Sequence, residues 1–261
     1  MVWLLTNKPR WLSTSLSHTG HLRPRNEDAI HSDDSAGLWL VADGMGGHAG
    51  GDVASKLVCE TTAAACAHGE PLDQAIKHAH VSVLAKAQAE PALSGMGSTL
   101  VAVQAKGRYV QLAWVGDSRI YLWRKGQLSL LSRDHSFVQN MVERGVLSPE
   151  EAREHPQKHL VNQALGQANL RQLKVDLQRH KLACGDRLLL CTDGVHDLLP
   201  DAAIAKCLSD EIDDVNAAKR LQSAVLATTA SDNFSFILLS AEPFIFGRWL
   251  KSIFVKIDNN D

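Results

Sequence analysis

The sequence contains no C-x-x-C pair, and none of its five cysteines (Cys59, Cys66, Cys184, Cys191, Cys207) has an arginine six positions later. The first absence removes thioredoxin-type redox motifs and paired-cysteine metal sites. The second removes the phosphate loop of the cysteine-nucleophile phosphatases. An odd number of unspaced cysteines reads as reduced, buried thiols of a cytoplasmic protein. No apolar run approaches the ~20 residues of a membrane span. The apolar start Met1-Val2-Trp3-Leu4-Leu5 is too short for a signal-peptide core. An excess of positive charge is lacking as well. The formal net charge is −2, so nothing electrostatic points to nucleic acid. There is no internal repeat and no low-complexity tract. What remains is a chain of 261 residues, 45% hydrophobic, long enough for one globular domain with a large core.

The chain is organised around residues 38–51. Leu38-Trp39-Leu40-Val41-Ala42 reads as a buried strand, which stops at Asp43-Gly44. Gly46, Gly47, Gly50 and Gly51 follow, and a helical pattern starts near Asp52. Such a stretch can be a solvated turn, a dinucleotide loop or a metal site. The dinucleotide spacing fails at Ala49, and a P-loop Gly-Lys-Ser/Thr is missing. An aspartate at the loop mouth repels a phosphate unless a cation lies between them.

Along the chain, residues 1–12 read as a peripheral lead-in and Thr14–His18 as a first strand. Gly20–Ala29 reads as a polar loop. Helices are expected over Asp52–His68 and Leu72–Ala89, the second with apolar residues at 72, 76, 79, 83 and 87. Ser98–Gln104, Arg108–Val115, Arg119–Trp123 and Leu128–Leu131 read as strands of a meander. Residues 133–170 are polar and interrupted by Pro149 and Pro156, which suits short helices over a mobile surface. His155 and His159 have metal-ligand spacing, but Pro156 and the lack of a Glu-x-x-His companion speak against zinc. Leu188–Thr192 is a second apolar strand, ending in Asp193-Gly194. Helices over Ala202–Leu208 and Val215–Thr229 precede a last strand, Phe234–Leu239. The class is α+β with layered antiparallel sheets.

Four aspartates, Asp43, Asp117, Asp193 and Asp232, thus sit at strand ends. Each alone reads as a turn or cap residue. Together, at one rim, they could not all stay ionised without cations. All-oxygen donors select hard cations, Mg²⁺ or Mn²⁺. The carbonyl of Gly44 can add a further oxygen.

Six segments in order resemble the metal-dependent PPM/PP2C family of protein serine/threonine phosphatases in its compact bacterial form. They are Arg23-Pro24-Arg25-Asn26-Glu27-Asp28, Asp43-Gly44-Met45-Gly46-Gly47-His48, Gly97-Ser98-Thr99, Val115-Gly116-Asp117-Ser118-Arg119, Cys191-Thr192-Asp193-Gly194 and Ser231-Asp232-Asn233. The resemblance covers residues 14–240. It implies a four-layer α-β-β-α sandwich with metals at one edge. By the same resemblance Asp43 would bridge two cations. The Gly44 carbonyl would bind one, and Asp193 and Asp232 the other. Asp117, with Asp193, would hold a third. Glu27 and Asp28 would bond waters on the metals, and Arg23 would bind phosphate. Residues 133–170 would form a flap beside the site. Many eukaryotic members carry a histidine directly after Asp-Gly as general acid. Met45 stands there in this chain, leaving His48 as a weak substitute and water on the metal as the better one.

The implied activity is hydrolysis of phosphoserine and phosphothreonine in proteins by a metal-activated water, with Mn²⁺ or Mg²⁺, opposing a bacterial Ser/Thr kinase. A pair of cations makes a bound water acidic enough to attack phosphorus at neutral pH, so no protein nucleophile is needed. Two alternatives stand beside it: a catalytically silent binding module of the same fold, and a hydrolase of small phosphoesters. The expected protein is a cytoplasmic monomer whose partners are phosphorylated proteins. Residues 1–242 are expected to form the phosphatase domain. In the tail, residues 243–261, Phe246, Trp249, Leu250, Ile253, Phe254 and Ile257 share one helical face opposite Arg248, Lys251 and Lys256. That composition suits docking to a protein or a membrane surface.

Overall fold

The computed structural model describes residues 10–107, 109–183, 185–209 and 213–242. Strands β1 (Arg10–His18), β2 (Asp28–Asp33) and β3 (Leu38–Met45) precede helices α1 (Gly47–Ala67) and α2 (Leu72–Ala89). Then come β4 (Gly97–Ser98), β5 (Leu100–Lys106), β6 (Tyr109–Val115), β7 (Arg119–Arg124) and β8 (Gln127–Leu130). Two short helices, α3 (Phe137–Glu143) and α4 (Pro149–Glu154), interrupt the strands before β9 (Asp176–Lys181) and β10 (Arg187–Cys191). Helices α5 (Asp193–His196), α6 (Asp201–Cys207) and α7 (Asp214–Leu226) lead to β11 (Phe234–Glu242).

The strands form two antiparallel sheets. One has the order β1-β11-β10-β7-β8, the other β2-β3-β5-β6-β9 with β4 beside β3. Alternation along β3 explains the layering. Leu38, Leu40 and Ala42 pack under α1 and α2, among Val58, Leu72 and Ile76. Trp39 and Val41 point the other way, into a core shared with Ile120, Leu188, Leu190, Ile237 and Leu239 of the opposite sheet. A third cluster joins the outer face of that sheet to α6 and α7 through Leu189, Phe236, Ile204 and Leu221. Both faces of each central strand are covered, which is why the strands read as unbroken apolar runs. The expected four layers are present.

Several sequence boundaries shift. The four central strands are not one meander. β5 and β6 pair in one sheet, β7 and β8 in the other, and the chain changes sheets at Gly116-Asp117-Ser118. β1 starts at Arg10 rather than after residue 12, because Trp11 packs edge-on against Trp39 at 5.7 Å. The polar loop ends at Glu27, and Asp28–Asp33 is a strand paired with β3. β9 escaped notice because it is an edge strand with a largely polar sequence, Asp-Leu-Gln-Arg-His-Lys. α1 begins at Gly47, five residues before Asp52, since its opening glycines bury a closely packed backbone. Cys59, Cys66, Cys191 and Cys207 are free thiols, and burial pushes Cys59 up to about 12. The tail, residues 243–261, lies outside the described residues. Among the described residues no helix is long and apolar enough to cross a membrane.

Candidate metal centre

The two sheets end together at one rim, and the acidic residues converge there. β3 supplies Asp43 and Gly44, and the β6–β7 corner supplies Asp117. The start of α5 supplies Asp193, and the turn before β11 supplies Asp232. All five line one cleft of about 1210 Å³, together with Arg23, Arg25, Glu27, Met45 and Asn233. The segment 133–170 reaches the same cleft through His159, Leu160 and Val161.

Backbone and hydroxyl contacts fix Asp43 in place. Its N–H donates to Thr99 Oγ1 at 3.0 Å, and its carbonyl accepts from the Thr99 N–H at 2.8 Å and Ser98 Oγ at 3.0 Å. Thr99 Oγ1 in turn shares a hydrogen bond with Ser118 Oγ at 2.7 Å, which ties the Asp43 and Asp117 loops together. Asn233 does the same for the loop bearing Arg23 and Glu27. Its amide donates to the carbonyls of Thr19 and Arg25 at 2.9 and 2.8 Å, and its Oδ1 accepts from the Glu27 N–H at 2.8 Å. Asn233 is 5% exposed, so its loss strands three backbone groups. We expect Asn233→Ala to cost about 2–4 kcal/mol in chemical denaturation. A cost below about 1 kcal/mol would show that water replaces the amide.

The carboxyls press on one another. Removal from water holds Asp43 well above the usual carboxylate range, and Asp193, Asp28 and Asp117 add repulsion. Burial raises Asp117 strongly, with Asp193 and Asp134 contributing. Asp193 is raised mainly by burial. Asp28 stands opposite Asp43 in the β2–β3 register and accepts from Thr192 Oγ1 at 3.0 Å. Burial pushes it up to about 7, against the pull of hydrogen bonds from Ser235 and Thr192. It does not line the cleft, so it sits behind Asp43 rather than beside it.

Cations of the cleft are few. Among its described lining residues, arginine appears as Arg23 and Arg25, and lysine does not. Arg23 Nη2 donates to Asp232 Oδ2 at 2.6 Å and stays half-exposed at the rim. Among the described lining residues, Asp43, Asp117 and Asp193 therefore pair with no lysine or arginine. That is the chemistry of a site for hard divalent cations. A second feature fits. A Cβ on Gly51 would lie 2.8 Å from the Gly44 carbonyl oxygen and 2.9 Å from Glu27 Oε1, so glycine there keeps open a space faced by two oxygen donors. Protons and cations compete for these oxygens, and cation affinity rises with pH as the raised carboxyls ionise.

The structure thus brings together Arg23, Glu27, Asp43, Gly44, Asp117, Asp193 and Asp232, and leaves Asp28 behind them. Thr99, Ser118, Thr192 and Asn233 fell within the matching segments but had no role assigned from sequence; their hydroxyls and amide orient the acids. Sequence reasoning also gave no part to Asp197. That carboxylate takes Lys158 Nζ at 3.1 Å and His159 Nδ1 at 3.2 Å from segment 133–170. His155 is elsewhere occupied, tilted against Phe137 at 5.9 Å between ring centres, so the two histidines do not act as a pair. The side chain of His48 lies outside the described residues.

Comparison with known proteins gives a consistent picture. The family model for protein phosphatase 2C matches residues 17–229. The serine/threonine protein phosphatase PstP of Mycobacterium tuberculosis is 37% identical over 243 residues, covering 89% of this chain and 45% of the relative. This chain accordingly spans about half the length of that relative. Serine/threonine phosphatase Stp1 from Staphylococcus aureus superposes with a TM-score of 0.82 at 30% identity, covering 91% of this chain and 98% of that one. The catalytic domain of PstP in complex with two manganese ions gives 0.77 at 35% identity, covering 89% and 98%.

Proposed function

The chain belongs to the protein phosphatase 2C family, and on that premise we propose that it hydrolyses phosphoserine and phosphothreonine in proteins with Mn²⁺ or Mg²⁺. The observation that carries the reading is the set of crowded carboxyls contributed by both sheets, of which Asp43, Asp117 and Asp193 pair with no lysine or arginine of the described lining. Asp43, the Gly44 carbonyl, Asp193 and Asp232 would hold two cations, and Asp117 with Asp193 a third. When bound, such cations supply a water acidic enough to attack phosphorus at neutral pH and screen the charge of the phosphoryl group. The relative solved with two manganese ions supports the choice of metal.

The chain's own residues do the rest. Arg23, charged and half-exposed at the rim, offers a planar fork to the phosphoryl oxygens. Glu27, its backbone pinned by Asn233, presents a carboxylate toward the Gly44 carbonyl, where it can orient water. His159, Leu160 and Val161 narrow the cleft from the flap side. Proteins modified by a Ser/Thr kinase are the proposed substrates. Residues 1–242 are the proposed catalytic unit, acting as a monomer, and residues 243–261 a docking tail.

Phosphate release from a phosphothreonine peptide, with and without Mn²⁺, tests the proposal. Release that stops on chelation supports it. Preference for nucleotides or sugar phosphates favours a small-phosphoester hydrolase, and no release with any metal favours a silent module. Arg23→Ala is expected to raise KM about tenfold with little change in kcat, since a contact made equally to bound substrate and transition state is uniform binding. Arg25→Ala is expected to behave as wild type. The reverse pattern would move the phosphate contact to Arg25.

A further inference from the structure

Building on the hydrolase reading above, we propose that His159, held by Asp197, is the general acid that protonates the leaving serine or threonine oxygen. An aliphatic alkoxide is a poor leaving group and needs a proton as the P–O bond breaks. A positioned side chain that supplies one contributes about 10²–10⁴-fold. Most groups lining the cleft are unsuited to this. Glu27, Asp43, Asp117, Asp193 and Asp232 form the oxygen donor set, Arg23 and Arg25 hold their protons too tightly, and Met45 has none. His159 is the sole imidazole among the described residues lining the cleft.

Its setting is that of an oriented acid. His159 Nδ1 lies 3.2 Å from Asp197 Oδ2, so an ion pair there turns the ring and leaves Nε2 as the other ring nitrogen. A ring nitrogen of His159 and carboxylate oxygens of Asp193 and Asp197 all lie within 4.8 Å of one another, so the imidazole stands at the edge of the reaction floor. Asp197 is itself pinned by Lys158 Nζ at 3.1 Å and by His196 Nδ1 at 3.3 Å. Against the removal from water, the neighbouring His196 and Lys158 hold it below the usual carboxylate range, and therefore anionic. His196 is anchored in turn, through Nε2, to the Asp117 carbonyl at 3.1 Å.

The charged groups around His159 come from three sides. Lys158 and Arg153 lie on its own segment, and Asp193, His196, Asp197 and Asp201 on α5 and the start of α6. Asp117, Arg119 and Asp134 come from β7 and its flanking turns. Arg23, Arg25, Glu27, Asp43 and Asp232 line the rest of the cleft. The His159 side chain is 62% exposed, open both to a bound phosphopeptide and to bulk water.

In the step, water oxygen bonds to phosphorus while the bond to the ester oxygen breaks. The ester oxygen leaves with the electron pair and takes the Nε2 proton. The proton given up by the attacking water passes to solvent, and the neutral imidazole regains one from solvent.

The test compares His159→Ala, His159→Gln and Asp197→Asn with wild type on a phosphothreonine peptide, phenyl phosphate and p-nitrophenyl phosphate at saturating Mn²⁺. Nitrophenolate leaves without help. His159→Ala is expected to lose about 10²-fold in kcat on the peptide and on phenyl phosphate, and less than about threefold on p-nitrophenyl phosphate. His159→Gln and Asp197→Asn should show the same leaving-group pattern as His159→Ala, Asp197→Asn with a smaller loss on the peptide and on phenyl phosphate. Manganese affinity by calorimetry should not change. Equal losses on all three substrates overturn the assignment. So does loss of a manganese site, which would make His159, Asp193 and Asp197 a cation site. A wild-type protein inactive on every substrate overturns the hydrolase reading itself.

Discussion

Asp193→Asn is expected to lower turnover about 10³-fold or more, equivalent to about 4 kcal/mol in the barrier, while the protein stays folded. The side chain keeps its size, so packing at the start of α5 is preserved. What disappears is a charge shared between the proposed cation sites. In the cation-free protein the change is favourable, because Asp193 repels Asp43, Asp117 and Asp28. Calorimetry should therefore show a melting temperature for cation-free Asp193→Asn at or above that of cation-free wild type. Manganese should raise the wild-type value by mass action and the variant value far less. Full turnover by the variant at saturating manganese would remove Asp193 from the metal centre.

Gly44→Ala is expected to be among the most damaging single-methyl changes in the described residues, costing about 3 kcal/mol or more. An added Cβ would lie 2.5 Å from the Glu27 carbonyl oxygen and nearer still to that of Gly51. Both obstacles are backbone. One belongs to the loop hung from Asn233, the other to α1, so neither can swing aside as a side chain would. Gly126→Ala is the control. Its Cβ meets nothing within 4 Å, and only its positive φ of 81° is strained, for about 1–2 kcal/mol. Urea denaturation compares the two. Equal costs would mean that the β3–α1 junction yields more readily than its contacts imply.

The acids of the site were legible because each borders an apolar run, and a run bounded by Asp-Gly, Gly-Asp or Asp-Asn puts a carboxylate at a sheet rim. Their orienting partners were not, because Thr99, Ser118 and Thr192 are ordinary strand and turn residues until folding sets a hydroxyl beside an acid. Asn233 looked like a turn residue for the same reason. The layers could be read from the double-sided burial of β3, β10 and β11. The sheet change at Gly116-Asp117-Ser118 could not, since a hairpin and a crossover between sheets show the same glycine punctuation. β9 carries so little apolar surface that only its partner β6 identifies it. His159 was discounted as half of a zinc pair, although its partner, Asp197, lies 38 positions away, beyond the reach of local spacing.

The pairing of β1 with β11 sets the moment at which the proposed site can close. Asn233 grips Thr19 and Arg25 across 214 and 208 positions of sequence. A ribosome must therefore deliver nearly the whole described chain before the loop bearing Arg23 and Glu27 has anything to close upon. Contacts of such separation are slow to form, because the closing entropy is spent before any contact rewards it. A chain that stops before Asp232 and Asn233 lacks one carboxylate of the proposed site and the amide that holds the loop bearing Arg23 and Glu27. The proposed site therefore closes late, once the turn before β11 has been made.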